Sequence, residues 1–171
     1  AKDTGTKKAA AGETATDWKT LIPMETLQSE VKAIRNQMTA RLQNVGKFNS
    51  SFQEIPADSS TLALLAGVAS AHGEEVSWKA NAKYVRDLSA LMIAEKLARG
   101  KKSFETAKVP FEKITEILDG STPAELPESA ETAVFSDYAD FGNLMKRIDR
   151  TFRWMKTNAS NEESYKEAAE R

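Results

Sequence analysis

The chain has 171 residues, of which 40% are hydrophobic and 29% are charged, and its formal net charge at pH 7 is -1. This length corresponds to one domain, alone or with part of another. Because positive and negative charges nearly balance, the chain has no overall positive potential that would attract nucleic acid or an anionic membrane. The sequence has no cysteine and one histidine, which excludes disulfides, thiolate metal sites, covalent haem attachment and a multi-histidine metal centre within one chain. Its mean hydropathy of -0.50 and the lack of a long apolar run predict no membrane span.

Residues 1–22 are mostly small and polar, and they are predicted to form a flexible N-terminal segment. They contain no apolar stretch of the kind found in signal peptides. A start at Ala1-Lys2 is typical of a chain from which a signal peptide has been removed.

The first helix is predicted over about residues 24–45. Large apolar residues recur there every three or four positions, which places them on one side of a helix. They are Leu27, Val31, Ile34, Met38, Leu42 and Val45. Pro23 suits the start of this helix and Gly46 its end.

A second helix is predicted after a loop that includes Pro56. Three consecutive residues can cap its N-terminus by accepting a hydrogen bond from a free backbone N–H group. They are Asp58, Ser59 and Ser60. Gly73 ends the helix, and the small residue Gly67 in its centre would allow a neighbouring element to approach closely.

The third helix is predicted to begin at Ser77 and to end at Gly100. Its inner side carries Trp78, Ala82, Val85, Leu88 and Met92. The fourth helix is predicted to begin at Ser103, with an inner side made of Phe104, Ala107, Phe111, Ile114 and Leu118. Pro110 lies in its interior and lacks a backbone donor, which predicts a kink or a break into two pieces.

Residues 121–134 contain two prolines, three glutamates and no basic residue, and they are predicted to form a linker. The next segment has the most regular apolar spacing in the chain and is predicted to be a fifth helix. Its stripe consists of Tyr138, Phe141, Met145, Ile148, Phe152 and Met155. A capping box formed by Ser160 and Glu163 predicts a final helix that runs to Arg171.

No segment alternates apolar and polar residues for long enough to form a strand, so the predicted fold class is all-α. Four helices joined by short loops favour an antiparallel up-and-down four-helix bundle over residues 23–120. The additional helices over residues 135–171 must then dock on the bundle, dimerise or begin another unit. A weak similarity between residues 31–35 and 145–149 leaves open a second repeat that continues past Arg171.

His72 is the residue best suited to act as a base or a metal ligand, but no nucleophile motif accompanies it. Its place in the last turn of a helix favours an interaction with the negative end of the helix dipole. The Glu-x-x-His pairs of a di-iron bundle are absent from the sequence. We therefore assign no catalytic, cofactor-binding or metal-binding residue, and we predict a protein that is not an enzyme and holds no cofactor.

Four basic residues occupy the polar side of the predicted fifth helix. They are Lys146, Arg147, Arg150 and Arg153. Contact with an acidic partner is one interpretation of this cluster. Because Asp140 and Asp149 interrupt it, a solvated surface is favoured instead.

Residues 24–120 resemble the cytochrome c′ family. Ile34-Arg35-Asn36-Gln37-Met38 is similar to the Arg-and-Met region of that family's first helix. The third helix is similar to that family's third helix, which carries a tryptophan and a second aromatic residue, because Trp78 opens it and Tyr84 follows on the same helix. The position of the fourth helix after a Gly-Lys-Lys loop also resembles the family. In the family that fourth helix ends in Cys-x-x-Cys-His, which binds haem, whereas Ile114-Thr115-Glu116-Ile117-Leu118 contains neither residue type. The resemblance implies a haem-free relative that keeps the bundle and is periplasmic or secreted.

Two functions remain open at this point. The first is a non-enzymatic exported module for protein interaction or scaffolding, with a protein partner or self-association through residues 135–158. The second is a carrier that binds haem non-covalently, or another small apolar ligand, between its helices. The small residues of the second helix and the aromatic residues Phe104, Phe111 and Trp78 favour the carrier.

Overall fold

The computed structural model describes residues 16–131 and 133–158. Over these residues the chain forms eight α-helices and no strand, which confirms the predicted all-α class. The helices are α1 (Trp18–Leu21), α2 (Met24–Arg41), α3 (Val45–Ser51), α4 (Ile55–Ala71), α5 (Ala82–Leu91), α6 (Lys101–Leu118), α7 (Phe135–Tyr138) and α8 (Phe141–Asn158). A 3-10 turn over Lys79–Asn81 precedes α5. None of the helices in this part of the chain has both the length and the apolar composition needed to cross a bilayer.

The hydrophobic core lies among α2, α4, α5 and α6, each of which contributes fully buried side chains. Examples are Ile34 on α2, Leu62 on α4, Val85 on α5 and Ile114 on α6. Helix α4 is central, since it packs against α2, α5, α7 and α8. The small residues near its middle make these close contacts possible.

Helix α2 ends earlier than predicted. Its apolar stripe from Leu27 to Leu42 is buried, as its spacing indicated, but the helix stops at Arg41. The side chain of Asn44 then accepts a hydrogen bond from the backbone N–H of Lys47 at 3.0 Å and caps the separate helix α3. Val45 continues the apolar spacing across this break, so the spacing alone did not indicate it.

The predicted cap of the second helix is wrong. Helix α4 begins at Ile55, and Asp58, Ser59 and Ser60 lie inside it with fully buried side chains. The Ser59 hydroxyl donates to the backbone carbonyl of Ser89 on α5 at 2.6 Å. These three residues therefore satisfy their polar groups through contacts between elements.

The third and fourth predicted helices also have different limits. Ser77 precedes the 3-10 turn rather than capping α5, and α5 ends at Leu91, well before Gly100. Gly100 instead precedes α6 with a φ of 123°, in the region that favours glycine. Helix α6 begins at Lys101 and continues through Pro110 as one element, so the predicted break into two pieces does not occur.

Within the predicted linker, the described residues 121–131, 133 and 134 form no helix. The linker is held against the bundle by contacts of Arg86. The buried Arg86 guanidinium on α5 donates to the carbonyl of Ala130 at 2.8 Å. It also lies 5.3 Å from the centre of the Tyr138 ring. The predicted fifth helix is divided after Tyr138 into α7 and α8. The predicted helix over residues 160–171 and most of the N-terminal segment lie outside the described residues.

Tyr138 is buried against α4 at Gly67, which confirms that this glycine permits close approach. A β-carbon at position 67 would lie 2.9 Å from Cζ of the tyrosine ring and closer still to its hydroxyl oxygen. Burial raises the pKa of Tyr138 to about 12, so the buried phenol is neutral at physiological pH.

Gly67→Ala should therefore lower the free energy of unfolding by about 1–3 kcal/mol, because the new methyl group must displace the tyrosine ring. Urea unfolding followed by circular dichroism measures the change. Gly73→Ala is the matched control, since a β-carbon there meets no atom within 4 Å. Equal losses in the two variants, or no recovery when Gly67→Ala is combined with Tyr138→Ala, would contradict this packing.

Candidate functional site

Helix α8 has two chemically different sides, and the structure turns the polar one toward the bundle. The inner side carries Asn143, Leu144, Arg147 and Arg150, all at least partly buried. The outer side carries five large apolar residues, which we call the outer stripe: Phe141, Met145, Ile148, Phe152 and Met155. Because each residue of an α-helix advances by about 100°, the two sets lie on nearly opposite sides. The side chains of the outer stripe are between 46% and 75% exposed.

The start of α8 is fixed by a side-chain cap. The carboxylate of Asp140 accepts a hydrogen bond from the backbone N–H of Asn143 at 2.7 Å. The Asn143 amide also donates to the Ser60 hydroxyl on α4 at 3.3 Å. Together with the buried Tyr138 just before it, this cap sets the rotation of α8 about its own axis.

Six charged residues hold α8 against the bundle, and we call them the ionic cluster: Glu30, Arg41, Glu54, Asp58, Arg147 and Arg150. Asp58 lies at the centre, and its fully buried carboxylate accepts from all three arginines. Arg41 and Arg150 also bind Glu54, the latter at 3.2 Å, and Arg147 binds Glu30. Three positive and three negative charges therefore balance at the interface between α2, α4 and α8.

Burial in the ionic cluster changes the pKa of two of its arginines. Burial lowers the pKa of Arg41, where the positive charges of Arg147 and Arg150 act in the same direction and Glu54 opposes them. Burial also lowers the pKa of Arg150, with a further lowering by Arg147. Because arginine stays protonated in proteins at neutral pH, these partly buried charges need the carboxylates as partners.

The sequence interpretation of the basic residues on α8 is wrong for two of the four. The side chains of Arg147 and Arg150 are only 12% and 35% exposed, so they are part of the docking interface rather than a solvated surface. Lys146 and Arg153 are exposed, as predicted. Arg153 binds Asp149 on the same helix at 2.9 Å.

The outer stripe was recognised from its spacing, but its orientation was not. The sequence favoured a helix that covers the bundle or pairs with another chain. Docking on the bundle is confirmed, since α8 packs against α4, but it does so through its polar side, and Phe141, Ile148 and Phe152 are exposed. Pairing with another chain stays a prediction.

His72 has a structural role at the end of α4. Its Nδ1 accepts a hydrogen bond from the backbone N–H of Glu74 at 3.0 Å, so the proton lies on Nε2. Nε2 then donates to the carbonyl of Ile22 at 3.0 Å. Both ring nitrogens are thus engaged: Nε2 fastens the end of α4 to the segment before α2, and Nδ1 binds the turn that follows α4. Over the described residues, no group of three or more acidic or histidine side chains is placed to hold a metal ion.

A surface groove of about 560 Å³ lies between α2, the segment before α5 and the end of α6. Its floor includes the buried side chains of Met24, Val31 and Trp78. Charged residues such as Lys32 and Arg35 line its edge. Phe104 and Phe111, which the sequence placed around a ligand, contribute to the core and do not line this groove.

Comparison of the chain with family models, with curated proteins and with solved structures gives no significant match. The resemblance to the cytochrome c′ family therefore stays a prediction. The two sides of α8 are the features from which a function can be argued.

Proposed function

We propose that this chain is a non-enzymatic, exported interaction module that binds a protein partner through the outer stripe of α8. In this proposal α2, α4, α5 and α6 form an antiparallel up-and-down four-helix bundle, similar to a haem-free cytochrome c′. The buried residues that these four helices share in one core support that arrangement. The bundle is the support on which α8 is displayed.

The exposure of the outer stripe is the observation that carries this proposal. Its five exposed fractions, applied to side chains of roughly 150–250 Å² each, give an apolar patch of roughly 430–720 Å². The largest apolar patch on a typical monomer is about 300–600 Å² and is often a binding surface. The area of the outer stripe lies in the upper half of that range or above it.

The way in which α8 docks explains why this patch is available. An amphipathic helix normally gains its stability by burying its apolar side. Helix α8 is instead held against the bundle by the ionic cluster, in which Asp58 binds both Arg147 and Arg150. The apolar side is thus left free to bind, and a partner that covers it would remove the remaining apolar surface from water.

Replacing two residues of the outer stripe should abolish stripe-dependent binding without unfolding the protein. We expect Ile148→Ser combined with Phe152→Ser to reduce capture of the specific partner by about tenfold or more. Each truncation removes roughly 1.5–3 kcal/mol of apolar burial. The measurement is quantitative mass spectrometry after chemical crosslinking of immobilised protein in an extract of the source cells.

The matched control combines Leu91→Ser with Val109→Ser, which changes two exposed apolar residues outside the outer stripe. This variant should retain the same partners as the unchanged protein. A set of captured proteins that is identical for both double variants would contradict the proposal. Circular dichroism of each variant verifies that the helices are intact.

The groove supports the second function, a carrier for haem or another small apolar ligand. Its apolar floor at Met24, Val31 and Trp78 is the observation that favours this function. Against it, the edge of the groove is charged and His72 has no free ring nitrogen to bind iron. An absorbance titration with haem distinguishes the carrier from the interaction module.

A further inference from the structure

We infer that the partner of the outer stripe is a second copy of this chain, with two α8 helices packed antiparallel about a twofold axis. This inference rests on the proposed function and names its partner. It is argued from the spacing of the outer stripe, its area and the charges beside it.

The spacing of the outer stripe is that of a helix–helix seam. Successive members are separated by four, three, four and three residues, so they form a continuous ridge along most of α8. Alternation of four and three is the pattern by which two helices pack side chains into the gaps between those of the other. A twofold axis brings the same surface of both copies together, so one such ridge supplies both halves of the interface.

The area of the outer stripe is comparable to that of a small dimer interface. Two patches of the size given above would bury roughly 900–1,400 Å² in total, and a specific interface requires roughly 1,000 Å². Residues 1–15 and 159–171 contain no Leu, Ile, Val, Met, Phe or Trp, so neither segment can supply large aliphatic side chains to this surface.

The charges beside the outer stripe favour an antiparallel arrangement. Asp149 lies between Lys146 and Arg153 along the helix. In an antiparallel pair centred near Ile148, Asp149 of one copy lies within about one helical turn of Lys146 of the other. A parallel pair would place these charges of the two copies on opposite sides of the seam, where they could not pair, and would align the two helix dipoles unfavourably.

The same charges disfavour an anionic membrane as the occupant. Helix α8 has five basic residues and one acidic residue, but Arg147 and Arg150 are engaged by the ionic cluster. Arg153 is paired with Asp149. Most of the positive charge of α8 is therefore directed inward or compensated, whereas interfacial helices present it to the lipid headgroups.

Cysteine crosslinking in the full chain tests both the contact and its direction, because the sequence has no cysteine of its own. Under mild copper-catalysed oxidation by air, Ile148→Cys should form a disulfide-linked dimer at least about tenfold faster than Val109→Cys. A disulfide requires Cα atoms within about 7 Å, which only positions near the twofold axis satisfy. Phe141→Cys and Met155→Cys should crosslink slowly alone but readily when the two variants are mixed. Rapid crosslinking of each end variant with itself would indicate a parallel pair and overturn the inference.

Light scattering and sedimentation then test the dimer without crosslinks. The unchanged chain and Val109→Asp should be dimers that dissociate on dilution, whereas Ile148→Asp should be a monomer with unchanged circular dichroism. A chain that is monomeric at all concentrations overturns the inference, and binding of that monomer to phosphatidylserine vesicles would assign the outer stripe to lipid. If the chain is monomeric but stripe-dependent protein capture persists, the proposed function stands and only the identification of the partner as a second copy is wrong. Loss of both dimerisation and stripe-dependent capture would overturn the proposed function as well.

Discussion

Replacing Asp58 with alanine should lower the free energy of unfolding by about 3–5 kcal/mol, because the change leaves buried arginines without their shared carboxylate. Asp58 is fully buried and accepts hydrogen bonds from Arg41, Arg147 and Arg150. Urea unfolding followed by circular dichroism measures the loss. Hydrogen exchange should also become faster over Phe141–Asn158, since these contacts hold α8 in place.

The control for this prediction is Asp149→Ala. Asp149 is 55% exposed and forms an ion pair only along its own helix, with Arg153, so its loss should change stability by no more than about 0.5 kcal/mol. Combining Asp58→Ala with Arg147→Met should recover part of the lost stability, because it removes one of the uncompensated charges. If Asp58→Ala and Asp149→Ala have equal effects, the ionic cluster does not hold α8.

Replacing Phe111 with alanine should also lower the free energy of unfolding by about 3–5 kcal/mol. The Phe111 ring lies on the inner side of α6 and is 5% exposed, so its truncation leaves a cavity in the shared core. Val109, two residues earlier on the same helix, is 53% exposed. Val109→Ala should therefore change stability by about 0.5 kcal/mol or less, and a Phe111→Ala loss below about 1 kcal/mol would contradict the burial of the ring.

The sequence alone was sufficient to predict the apolar stripes of the core helices. Leu27, Val31, Ile34 and Met38 recur at helical spacing within one segment, and burial of such residues depends mainly on that local pattern. The same reasoning found most of the inner side of α6, where Ile117 is buried in place of Leu118, and it predicted a kink or a break at Pro110. Helix limits were less accurate, since the cap at Asn44 lies within a continuous apolar pattern.

The roles of Asp58, Ser59 and Ser60 could not be predicted from their neighbours. A run of Asp and Ser after a proline has the local chemistry of a helix cap, which is how it was interpreted. The partners that explain it are distant in sequence: Ser89 on α5 for Ser59, and Arg147 on α8 for Asp58. Only the tertiary structure brings these groups together.

The orientation of α8 was missed for a related reason. Its sequence has an apolar side and a basic side, and the usual expectation is that the apolar side packs against the core. Here the inner surface that α8 meets is acidic at Asp58, Glu54 and Glu30. Paired charges therefore decide which side faces inward.

The separation of the two sides of α8 means that the contacts that hold the helix and the surface proposed for binding use different residues. Phe141, Ile148 and Phe152 are exposed, whereas Arg147 and Arg150 supply the contacts that hold the helix. Substitutions in the outer stripe should therefore affect the fold little, and if the stripe binds a partner, its specificity could change independently of the rest of the molecule. For protein engineering, α8 is a surface that can be redesigned for a new partner, or made polar to improve solubility, while the ionic cluster keeps it in place.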